Sequence, residues 1–482
     1  MVTKKDIVQK EKYVYEISQS YKPEMRVPAR FFSTESMLED ILHDSSLEQL
    51  ANTASLPGIQ QYAYAMPDIH QGYGFPIGGV VATAIHEGGV ISPGGIGYDI
   101  NCGVRLLAST ITAQDAKRYI GKIADALFEA VPSGVGRGSD LIFSVKHIDT
   151  FLQKGAAAMV EKGYGTESDF LFCQEQGHMA EADSSAISDA AKKRGADQLG
   201  TLGSGNHFLE VQYVDEVFDT EIAQAYGLWQ GQVTVMIHCG SRGLGHQTCT
   251  DYLRLFMKDF DPQMLKIPDK ELICAPFLSP QGQQYFSAMA AASNYAWANR
   301  HLIGHWTRKA WNRVFGNAVQ LRTVYDLSHN IGKVETHEID GILKKCLVHR
   351  KGATQAFGPG TEGLPDLYKL FGQPVLIPGT MGTASYVMAG TSKSMQIAFG
   401  SCCHGAGRRL SRVKAKQMVR GKDLRNALKE RGILIRSDSD PGLAEEAPIA
   451  YKDVEEVVEV TDAVGLAKKV ARLRPLAVIK GG

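Results

Sequence analysis

Glycine, clustered in short runs, constrains this chain more than any other feature of its sequence. The chain has 50 glycines in 482 residues, or about 10%, against a usual share of about 7%. Such clusters mark places where the backbone turns sharply or approaches a ligand closely. Several of the runs, such as 94–105 and 202–210, also hold polar side chains that are able to bind a metal. We therefore expect tight turns that carry functional residues.

The overall composition is that of an ordinary globular protein. Hydrophobic residues make up 44% of the chain and charged residues 22%, which is enough for a large core. Lys+Arg and Asp+Glu balance at 52 each, so the chain has no global charge signature of a nucleic-acid-binding protein. Any site for a polyanion must be a local basic patch, and the composition neither supports nor excludes RNA as a ligand.

The cysteines and the N-terminal segment indicate a reducing compartment. No Cys-x-x-Cys pair occurs among the eight cysteines, and disulfide frameworks are typical of small secreted chains. Residues 1–16 are charged and lack an apolar signal segment. No run approaches the ~20 apolar residues of a membrane span. The sequence predicts a soluble, cytoplasmic protein without a membrane partner.

Periodicity and end signals place several helices and strands. Thr112 and Asp115 resemble a capping box at the start of the first helix. The predicted helices are 113–130, 285–315, 405–417, 422–431 and 461–472. The predicted strands are 78–85, 233–237, 344–350, 374–377 and 394–399.

These elements follow one another without a β-α-β rhythm. No long linker or repeat interrupts them, and the loop-rich stretches 133–140 and 357–366 are short. We therefore predict an α+β fold: a single large globular domain over residues 1–482, with mixed buried β-sheets flanked by helices. A doubly wound parallel sheet is the less favoured alternative.

Three common nucleotide motifs do not explain the chain. The stretch 358–363 fits G-x-G-x-x-G, but it contains proline, follows no predicted strand and opens no predicted helix. No Walker A sequence occurs. The Lys-x-Asp-Gly signature of lysine-nucleophile ligases is absent, and its nearest counterpart, 338–341, has Glu338 in the position of the lysine.

A set of dispersed polar residues suits a divalent metal. One carboxylate, one thiol and three imidazoles stand in glycine runs or at strand ends: Asp99, Cys102, His207, His238 and His329. This mixture of hard and soft ligands suits a borderline metal. The short spacing of Asp99 and Cys102 lets both reach one site, and a thiolate is able to bridge two metals. Because the set spreads over about 230 residues, its spacing alone supports the site only in part.

The other histidines have a more ordinary interpretation. A single histidine is more often a hydrogen-bonded structural residue than a ligand, and we interpret five of them in that way: His43, His86, His147, His178 and His301. The role of His70 is left undecided, because Asp68 and His70 could support the site as a pair.

Eight sequence blocks together carry a family resemblance. They are PDIHQGYGFPIGG, GGIGYDINCGVR, GSGNHFLE, HCGSRGLGH, SHNIGK, HRKGAT, IPGTMGTASY and SCCHGAGR, within residues 67–412, and RPLAVIKG (474–481) closes the match. In order, spacing and content the chain resembles the RtcB family of RNA ligases. The resemblance implies an RtcB-like fold and GTP- and Mn²⁺-dependent joining of an RNA 3′-phosphate or 2′,3′-cyclic phosphate end to a 5′-hydroxyl end, in tRNA splicing or RNA repair.

The resemblance also implies a role for each matching residue. The five metal-competent residues would bind two Mn²⁺ with Cys102 as the bridge, and His404 would be the nucleophile that accepts GMP. The guanylate pocket would comprise Asn206, His207, Phe208, Leu209, Glu210, His329, Asn330, Pro378, Gly379, Thr380, Met381, Ser385, His404, Gly405, Ala406, Gly407, Tyr451 and Lys480. Candidates for RNA phosphate are Arg242, Lys351, Arg408 and Arg412.

The chemistry of these residues agrees with such roles. A neutral imidazole is available at pH 7, because the ordinary histidine pKa is about 6.5. In the predicted helix 405–417, N–H groups would point at a phosphate on His404, and Arg408 and Arg412 would share one face. The carboxylate of Glu210 would accept from guanine N1–H and the 2-amino group, two donors that adenine lacks on that edge.

The implied reaction has three steps and two rival interpretations. His404 would attack GTP, the RNA 3′-phosphate would take GMP from it to give RNA-ppG, and the 5′-hydroxyl would then displace GMP. One alternative is a dinuclear metal phosphodiesterase or hydrolase acting on RNA ends, which the ligand set permits; another is a non-catalytic RNA-binding module. The physiological RNA, acceptance of DNA ends, the need for an archease-like activator and the oligomeric state stay open.

Overall fold

The computed structural model describes residues 1–134, 138–139, 141 and 143–481. The loop predicted at 133–140 lies partly outside these residues. Within them the strands are β1 (Ile7–Glu11), β2 (Val14–Ile17), β3 (Ala29–Phe32), β4 (Ala63–His70), β5 (Ile77–Ala84), β6 (Val90–Ile91), β7 (Gly103–Thr112), β8 (Phe208–Val217), β9 (Gln232–Cys239), β10 (Ala275–Pro276), β11 (Leu321–Ser328), β12 (Asn330–Ile339), β13 (Ile342–Lys351), β14 (Ala353–Gln355), β15 (Pro374–Ile377), β16 (Ser385–Gly390), β17 (Ser401–Cys403), β18 (Leu434–Arg436) and β19 (Ala467–Ile479).

The helices fall mostly between residues 113 and 315 and after residue 392. They are α1 (Glu35–Ile41), α2 (Ser46–Thr53), α3 (Ala113–Lys117), α4 (Ile120–Ala130), α5 (Val145–Lys154), α6 (Ala157–Glu161), α7 (Ser168–Leu171), α8 (Asp189–Gly195), α9 (Thr220–Tyr226), α10 (Arg242–Asp259), α11 (Pro262–Leu265), α12 (Pro280–Phe315), α13 (Ser392–Ala398), α14 (Arg412–Met418), α15 (Gly421–Glu430), α16 (Asp440–Glu445) and α17 (Val454–Val464).

Two large sheets organise the molecule. The first has the strand order β1-β2-β3-β4-β5-β13-β12, and its pairs are antiparallel except β3 with β4. The second has the order β11-β7-β9-β8-β19-β16-β15, and β18 adds to β19 in parallel. Two short ribbons, β10-β6 and β14-β17, lie outside these sheets. Because β12 directly follows β11 along the chain, the two large sheets are joined at residue 329.

The second sheet is buried on both faces, which explains its strand sequences. Val235 and Ile237 of β9 pack in one hydrophobic cluster, whereas Met236 packs in another on the opposite side. A strand covered on both sides reads as a continuous apolar run instead of an alternating one. Helix α12, 36 residues long, packs against α4, α5, α10 and β9. Its small residues, such as Ala290 and Ala291, are fully buried.

The predicted α+β fold with mixed, buried sheets is confirmed. The strand predicted at 374–377 is present with the predicted ends. The helices predicted at 285–315 and 422–431 and the strands predicted at 78–85, 233–237 and 344–350 are present with shifted ends. No helix in the part of the chain that the structure describes is long and apolar enough to cross a membrane. That one domain spans all of 1–482 stays a prediction.

Two predicted elements differ near their ends. The helix predicted at 113–130 is divided into α3 and α4, because Tyr119 leaves the helical conformation and its ring packs edge-on against Phe315. The capping interaction is present, since Thr112 accepts the N–H of Asp115. The helix predicted at 461–472 is wrong: α17 ends at Val464, where Gly465 caps it in the left-handed conformation, and β19 follows from Ala467.

Two further predictions near residue 404 are wrong. The segment 394–399, predicted as a strand, belongs to α13, because the Thr391 side chain caps the N–H of Ser394 and starts a helix. The helix predicted at 405–417 begins only at Arg412, where Ser411 caps it. Residues 405–411 instead form a loop, and its Gly407 has φ +72° and lies against the backbone of Asp68.

Candidate active site

The site lies where the two large sheets meet, at His329. The residue stands between β11 and β12. Its N–H donates to the carbonyl of Cys102 at 2.8 Å, and its carbonyl accepts the N–H of Ala353 at 3.1 Å. One residue thus ties the start of β7 to the ribbon strand β14, and its buried imidazole lies at the junction.

A tight turn before β7 places Asp99 and Cys102 together. The N–H of Cys102 donates to the carbonyl of Asp99 at 2.9 Å, and Asn101 between them has φ +51°. Arg300 of α12 donates to the carbonyl of Asn101 at 2.7 Å, which holds this left-handed residue in place. Gly240, after β9, leaves room for the carboxylate, because a Cβ there would lie 2.4 Å from Oδ1 of Asp99.

The five predicted metal ligands form two overlapping triads. Asp99, Cys102 and His207 make one, and Cys102, His238 and His329 make the other. Sγ of Cys102 lies 3.4 Å from Nε2 of His207 and 3.3 Å from Nε2 of His238. Nε2 of His238 lies 3.3 Å from Nε2 of His329. Cys102 is therefore the residue that the two triads share.

These separations fit ions bound between the side chains. Two imidazole nitrogens bound tetrahedrally at about 2.1 Å from one ion are roughly 3.4 Å apart, close to the His238–His329 separation of 3.3 Å. Oδ1 of Asp99 is buried without a hydrogen-bond partner among the described residues. A buried carboxylate oxygen in that situation is costly unless a cation satisfies it. The donor set therefore fits one divalent ion in each triad.

Burial sets the protonation of these ligands. It lowers the pKa values of His238 and His329 well below the usual range, so both imidazoles are neutral and able to ligate. Burial and, to a smaller extent, the neighbouring Asp99 raise the pKa of Cys102 to about 12. The thiol is therefore protonated until a cation replaces the proton.

His404 follows β17 and is held by Asp68 of β4. Oδ2 of Asp68 lies 2.5 Å from Nδ1 of His404 and accepts the N–H groups of His404 and Gly405 at 2.9 and 3.3 Å. Gly407 makes this approach feasible, because a Cβ there would lie 2.2 Å from the carbonyl oxygen of Asp68. The imidazole of His404 packs edge-on against that of His329, with ring centroids 5.0 Å apart.

A cavity of about 320 Å³ opens beside His404 and the metal ligands. This is a size typical of small-ligand sites. Its walls combine residues from both sheets and from the loops around residues 97, 352, 379 and 406. The lining is His70, Gly72, Tyr73, Ile77, Gly97, Tyr98, Asp99, Cys102, Asn206, Phe208, Glu210, His238, His329, Asn330, Lys351, Gly352, Pro378, Gly379, Thr380, Met381, His404, Gly405, Ala406, Gly407, Arg408, Arg412, Glu446, Tyr451 and Lys480.

One end of the cavity carries a buried carboxylate and a buried ammonium. Glu210 is 3% exposed and accepts from the Gln212 side chain at 2.6 Å. Burial raises the pKa of Glu210 to about 8, although Gln212 and the nearby Lys480 oppose the shift. Nζ of Lys480 donates to the carbonyl of His207 at 3.2 Å. Ser385 connects this end to the Pro378–Met381 loop, because its hydroxyl accepts from Gln212 and from the N–H of Gly379.

Arg408 and Arg412 converge on a carboxylate, although they do not share a helix face. Nη1 of Arg408 donates to Glu446 at 3.0 Å, and Nε of Arg412 donates to its other oxygen at 3.2 Å. The guanidinium of Arg408 lies 4.9 Å from the ring centroid of Tyr451, whose hydroxyl donates to Glu446. Arg408 is in the loop and Arg412 begins α14, so the predicted i,i+4 geometry is wrong.

Three predicted site residues lie behind the cavity wall or direct their charged groups elsewhere. Leu209 packs in a hydrophobic cluster with Val211, on the face of β8 opposite Phe208 and Glu210. Nη1 of Arg242 lies 3.4 Å from Nδ1 of His207. Lys351 lines the cavity, but its ammonium donates to the carbonyls of the Tyr73–Phe75 loop.

Sequence reasoning missed Glu446, Gln212, Tyr73 and Tyr98, and left Asp68 and His70 open. Glu446 stands in a run of ordinary residues with no motif, so no signal marks it. Asp68 and His70 stand in the glycine-rich block 66–79, which was the available signal. Two histidines interpreted as structural do have ordinary hydrogen bonds, from His301 to the carbonyl of Tyr164 and from His178 to that of Gln153.

Comparison with known proteins gives matches over most of the chain. The family model described as tRNA-splicing ligase RtcB matches residues 49–481. A tRNA-splicing ligase RtcB of Archaeoglobus fulgidus is 52% identical over 472 residues, covering 97% of this chain and 98% of that protein. A tRNA-splicing ligase RtcB of Thermococcus kodakarensis is 54% identical over 460 residues, and the match covers 95% of this chain and 95% of that protein. RNA-splicing ligase RtcB homolog 1 of Entamoeba dispar is 49% identical over 456 residues, 93% of this chain and 84% of that protein.

Proposed function

We infer the activity of this chain from its family: it belongs to the RtcB family of tRNA-splicing ligases. We propose that it joins an RNA 3′-phosphate or 2′,3′-cyclic phosphate end to a 5′-hydroxyl end, using GTP and Mn²⁺. The observation that carries the proposal is the position of His404, whose imidazole stands between the carboxylate of Asp68 and the metal-competent cluster at His329.

In the first step His404 becomes guanylated. With Nδ1 turned to Asp68, Nε2 is the nitrogen left to attack the α-phosphorus of GTP. An N–P bond forms as the bond to pyrophosphate breaks, and pyrophosphate leaves. The buried carboxylate of Asp68 stabilises the positive charge that develops on the imidazole, as the aspartate of a catalytic triad does for its histidine.

Two further displacements complete the joining. An oxygen of the RNA 3′-phosphate attacks the phosphorus on His404, the N–P bond breaks, and RNA-ppG forms. The 5′-hydroxyl oxygen then attacks the RNA phosphorus, loses its proton to solvent, and releases GMP. Such reactions depend mostly on position and on charge stabilisation, which is the role we propose for Arg408 and Arg412 toward RNA phosphate.

The guanine base would occupy the end of the cavity at Glu210. In its ionised form this carboxylate accepts from N1–H and the 2-amino group, and Lys480 supplies a donor for a carbonyl oxygen. Phe208, Tyr451 and the Pro378–Met381 loop line the same end of the cavity, and these groups would enclose the guanosine. Asn206, Gly405, Ala406 and Gly407 also line the cavity, and the α-phosphate would lie beside His404.

The metal ligands would hold two Mn²⁺, one in each triad, with Cys102 between them. When bound, such ions would supply charge stabilisation for the attacking and leaving oxygens of phosphoryl transfer and, for a cyclic phosphate end, an activated water. The chain's part is to present neutral imidazoles from His238 and His329 and to give up the thiol proton of Cys102. Asn330 helps to hold the turn that carries Asp99, since its side chain donates to the carbonyl of Asp99 at 3.0 Å.

The rival activities account for less of the site. A dinuclear phosphodiesterase needs the ligand cluster, but it needs neither a histidine held by Asp68 nor a buried carboxylate matched to guanine. A non-catalytic RNA-binding module needs none of the five metal-competent residues. Because the relatives are named for tRNA splicing, we propose tRNA halves as the RNA and the cytoplasm as the location; an archease-like activator would be an additional partner.

The decisive experiment follows the α-phosphate of GTP. Wild-type protein incubated with Mn²⁺ and α-labelled GTP should retain an acid-labile, alkali-stable label, and His404→Ala should retain none. With each NTP in turn, only GTP should support joining of a 3′-phosphate RNA to a 5′-hydroxyl RNA. His404→Ala should still join a pre-activated RNA-ppG end. Release of free ends without retained label would instead indicate the phosphodiesterase.

A further inference from the structure

A second imidazole faces the cavity without a role in the chemistry described so far. His70 ends β4, is 9% exposed and lines the cavity. Its ring is stacked with that of His404, with centroids 6.3 Å apart and planes 27° from parallel. It belongs to neither metal triad.

The hydrogen bonding of His70 fixes which of its nitrogens carries the proton. Nδ1 lies 2.9 Å from the carbonyl oxygen of Asp68. A carbonyl only accepts, so Nδ1 carries the hydrogen and Nε2 presents a lone pair. Within the described part of the chain no group bonds to Nε2, although the ring lies in the cavity wall. Burial lowers the pKa of His70 to about 3, so the ring stays uncharged at neutral pH.

Asp68 positions both stacked histidines. Its carbonyl holds Nδ1 of His70, and its carboxylate lies against Nδ1 of His404. With both Nδ1 atoms engaged by one residue and the rings nearly parallel, Nε2 of each ring is left for a ligand in the cavity. The ring of His70, with its lone pair, therefore lies beside the ring that attacks phosphorus, at a centroid separation of 6.3 Å.

A neutral acceptor at this place selects a particular partner. It repels phosphate oxygens, which are also acceptors, and it lies outside both metal triads. It binds a hydroxyl donor. The hydroxyl nearest an RNA 3′-phosphate is the 2′-hydroxyl on the adjacent ribose carbon, and this group distinguishes RNA from DNA.

We propose that His70 accepts a hydrogen bond from the 2′-hydroxyl of the ribose that carries the 3′-phosphate, and thereby selects a ribose over a deoxyribose end. The inference rests on the proposed ligase function and adds a specificity-determining residue to it. The bond forms as the 3′-phosphate approaches guanylated His404, so it acts on RNA-ppG formation and not on the reaction with GTP.

The test uses full-length protein and two donor strands that differ in one atom. Both strands end in a 3′-phosphate, one on a ribose and the other on a single terminal 2′-deoxyribose. Enzyme guanylated beforehand is mixed with each strand, and single-turnover formation of RNA-ppG is measured. The variants are His70→Leu, which removes the acceptor, and His70→Gln, whose amide oxygen keeps one. Retained guanylation by GTP shows that each variant is folded.

The proposal expects wild type to prefer the ribose end by about tenfold, the usual effect of one hydrogen bond. His70→Leu should react with both ends at similar rates, through loss on the ribose end alone, and His70→Gln should keep part of the preference. A wild type that reacts equally with both ends overturns the proposal whatever the variants do. The proposal is also overturned if His70→Leu keeps the full preference for the ribose end. It is overturned as well if the rate lost in His70→Leu depends only on the 5′-hydroxyl strand. Failure of wild type to become guanylated would refute the ligase function itself.

Discussion

Oδ2 of Asp68 lies 2.5 Å from Nδ1 of His404, and the same oxygen accepts the main-chain N–H of His404. The carboxylate is fully buried, and it contacts both the side chain and the backbone of His404. The two residues are 336 positions apart. The orientation of His404 therefore depends on contact between β4 of the first sheet and the loop after β17.

We predict that Asp68→Asn slows guanylation of His404 by about 10²–10⁴-fold, because the amide no longer stabilises a positive imidazole. The measurement is single-turnover label transfer from α-labelled GTP. Asp44→Asn, which removes a carboxylate bonded to the N–H groups of Ser46 and Gln71, is the control and should leave the rate unchanged. Equal rates for Asp68→Asn and wild type would refute the orienting role.

Glu210 is predicted to select GTP over ATP. In Glu210→Gln the amide replaces one acceptor by a donor, so kcat/KM for GTP should fall by about 10–100-fold, as for a mispaired buried group. Joining of a pre-activated RNA-ppG end should fall much less, because the guanylate is already attached to the substrate. Glu216→Gln, at the exposed end of the same strand β8, is the matched control. Equal losses in both assays would indicate a structural role.

Guanine binding should also depend on pH through Glu210. Burial raises its pKa to about 8, so the free carboxyl is protonated below that pH, whereas guanine needs the ionised form. Affinity for GMP should therefore rise by up to about tenfold for each pH unit between pH 6 and 8 and become constant above pH 8. Titration calorimetry measures this directly, and Glu210→Gln should show no such slope. A flat profile for wild type would contradict the prediction.

Cys102 is predicted to connect the two metal sites. Because both triads include its sulfur, Cys102→Ser should weaken binding of both Mn²⁺ ions and reduce guanylation and ligation together. Metal content after dialysis and the Mn²⁺ dependence of guanylation are the measurements. Cys402→Ala is the control, since that thiol is buried beneath His404 and outside the triads. Full guanylation by Cys102→Ser at low Mn²⁺ would exclude the bridging role.

Arg412 is predicted to bind RNA phosphate. Its side chain is 53% exposed and held at the cavity rim by Glu446. Arg412→Ala should raise KM for RNA and lower the salt dependence of binding by about one ion, while guanylation by GTP stays near wild type. Arg409→Ala removes a neighbouring arginine that pairs with Asp40 and is the control. An unchanged KM for RNA would refute the contact.

The metal-competent set could be predicted from the sequence because its signals are local. Each member stands at a strand end or in a glycine run, and a carboxylate, a thiol and imidazoles together already indicate a metal. Long-range contacts could not be predicted in this way. The helix predicted at 405–417 is wrong because Gly407 lies against Asp68, a residue far away in the chain.

Other parts of the site carry no sequence signal at all. Glu446 pairs with Arg408 and Arg412 only because α16 packs beside α14, and nothing in its neighbourhood marks it. The boundary between α17 and β19 was misplaced because the apolar residues of 461–472 suit a helix as well as a strand. Gly465 and the pairing of β19 with β8 decide between the two.

Strand β19 lies between β8 and β16 in the second sheet, although it begins 250 residues after β8 ends. During synthesis on the ribosome, β8 and β16 emerge before the strand that joins them. Until residues 467–479 are available, each has an unpaired edge, a state prone to aggregation and to chaperone capture. Lys480 is the residue that directly follows this strand in the sequence. Until these residues have been synthesised, the second sheet lacks an internal strand and the cavity lacks the lysine that lines it.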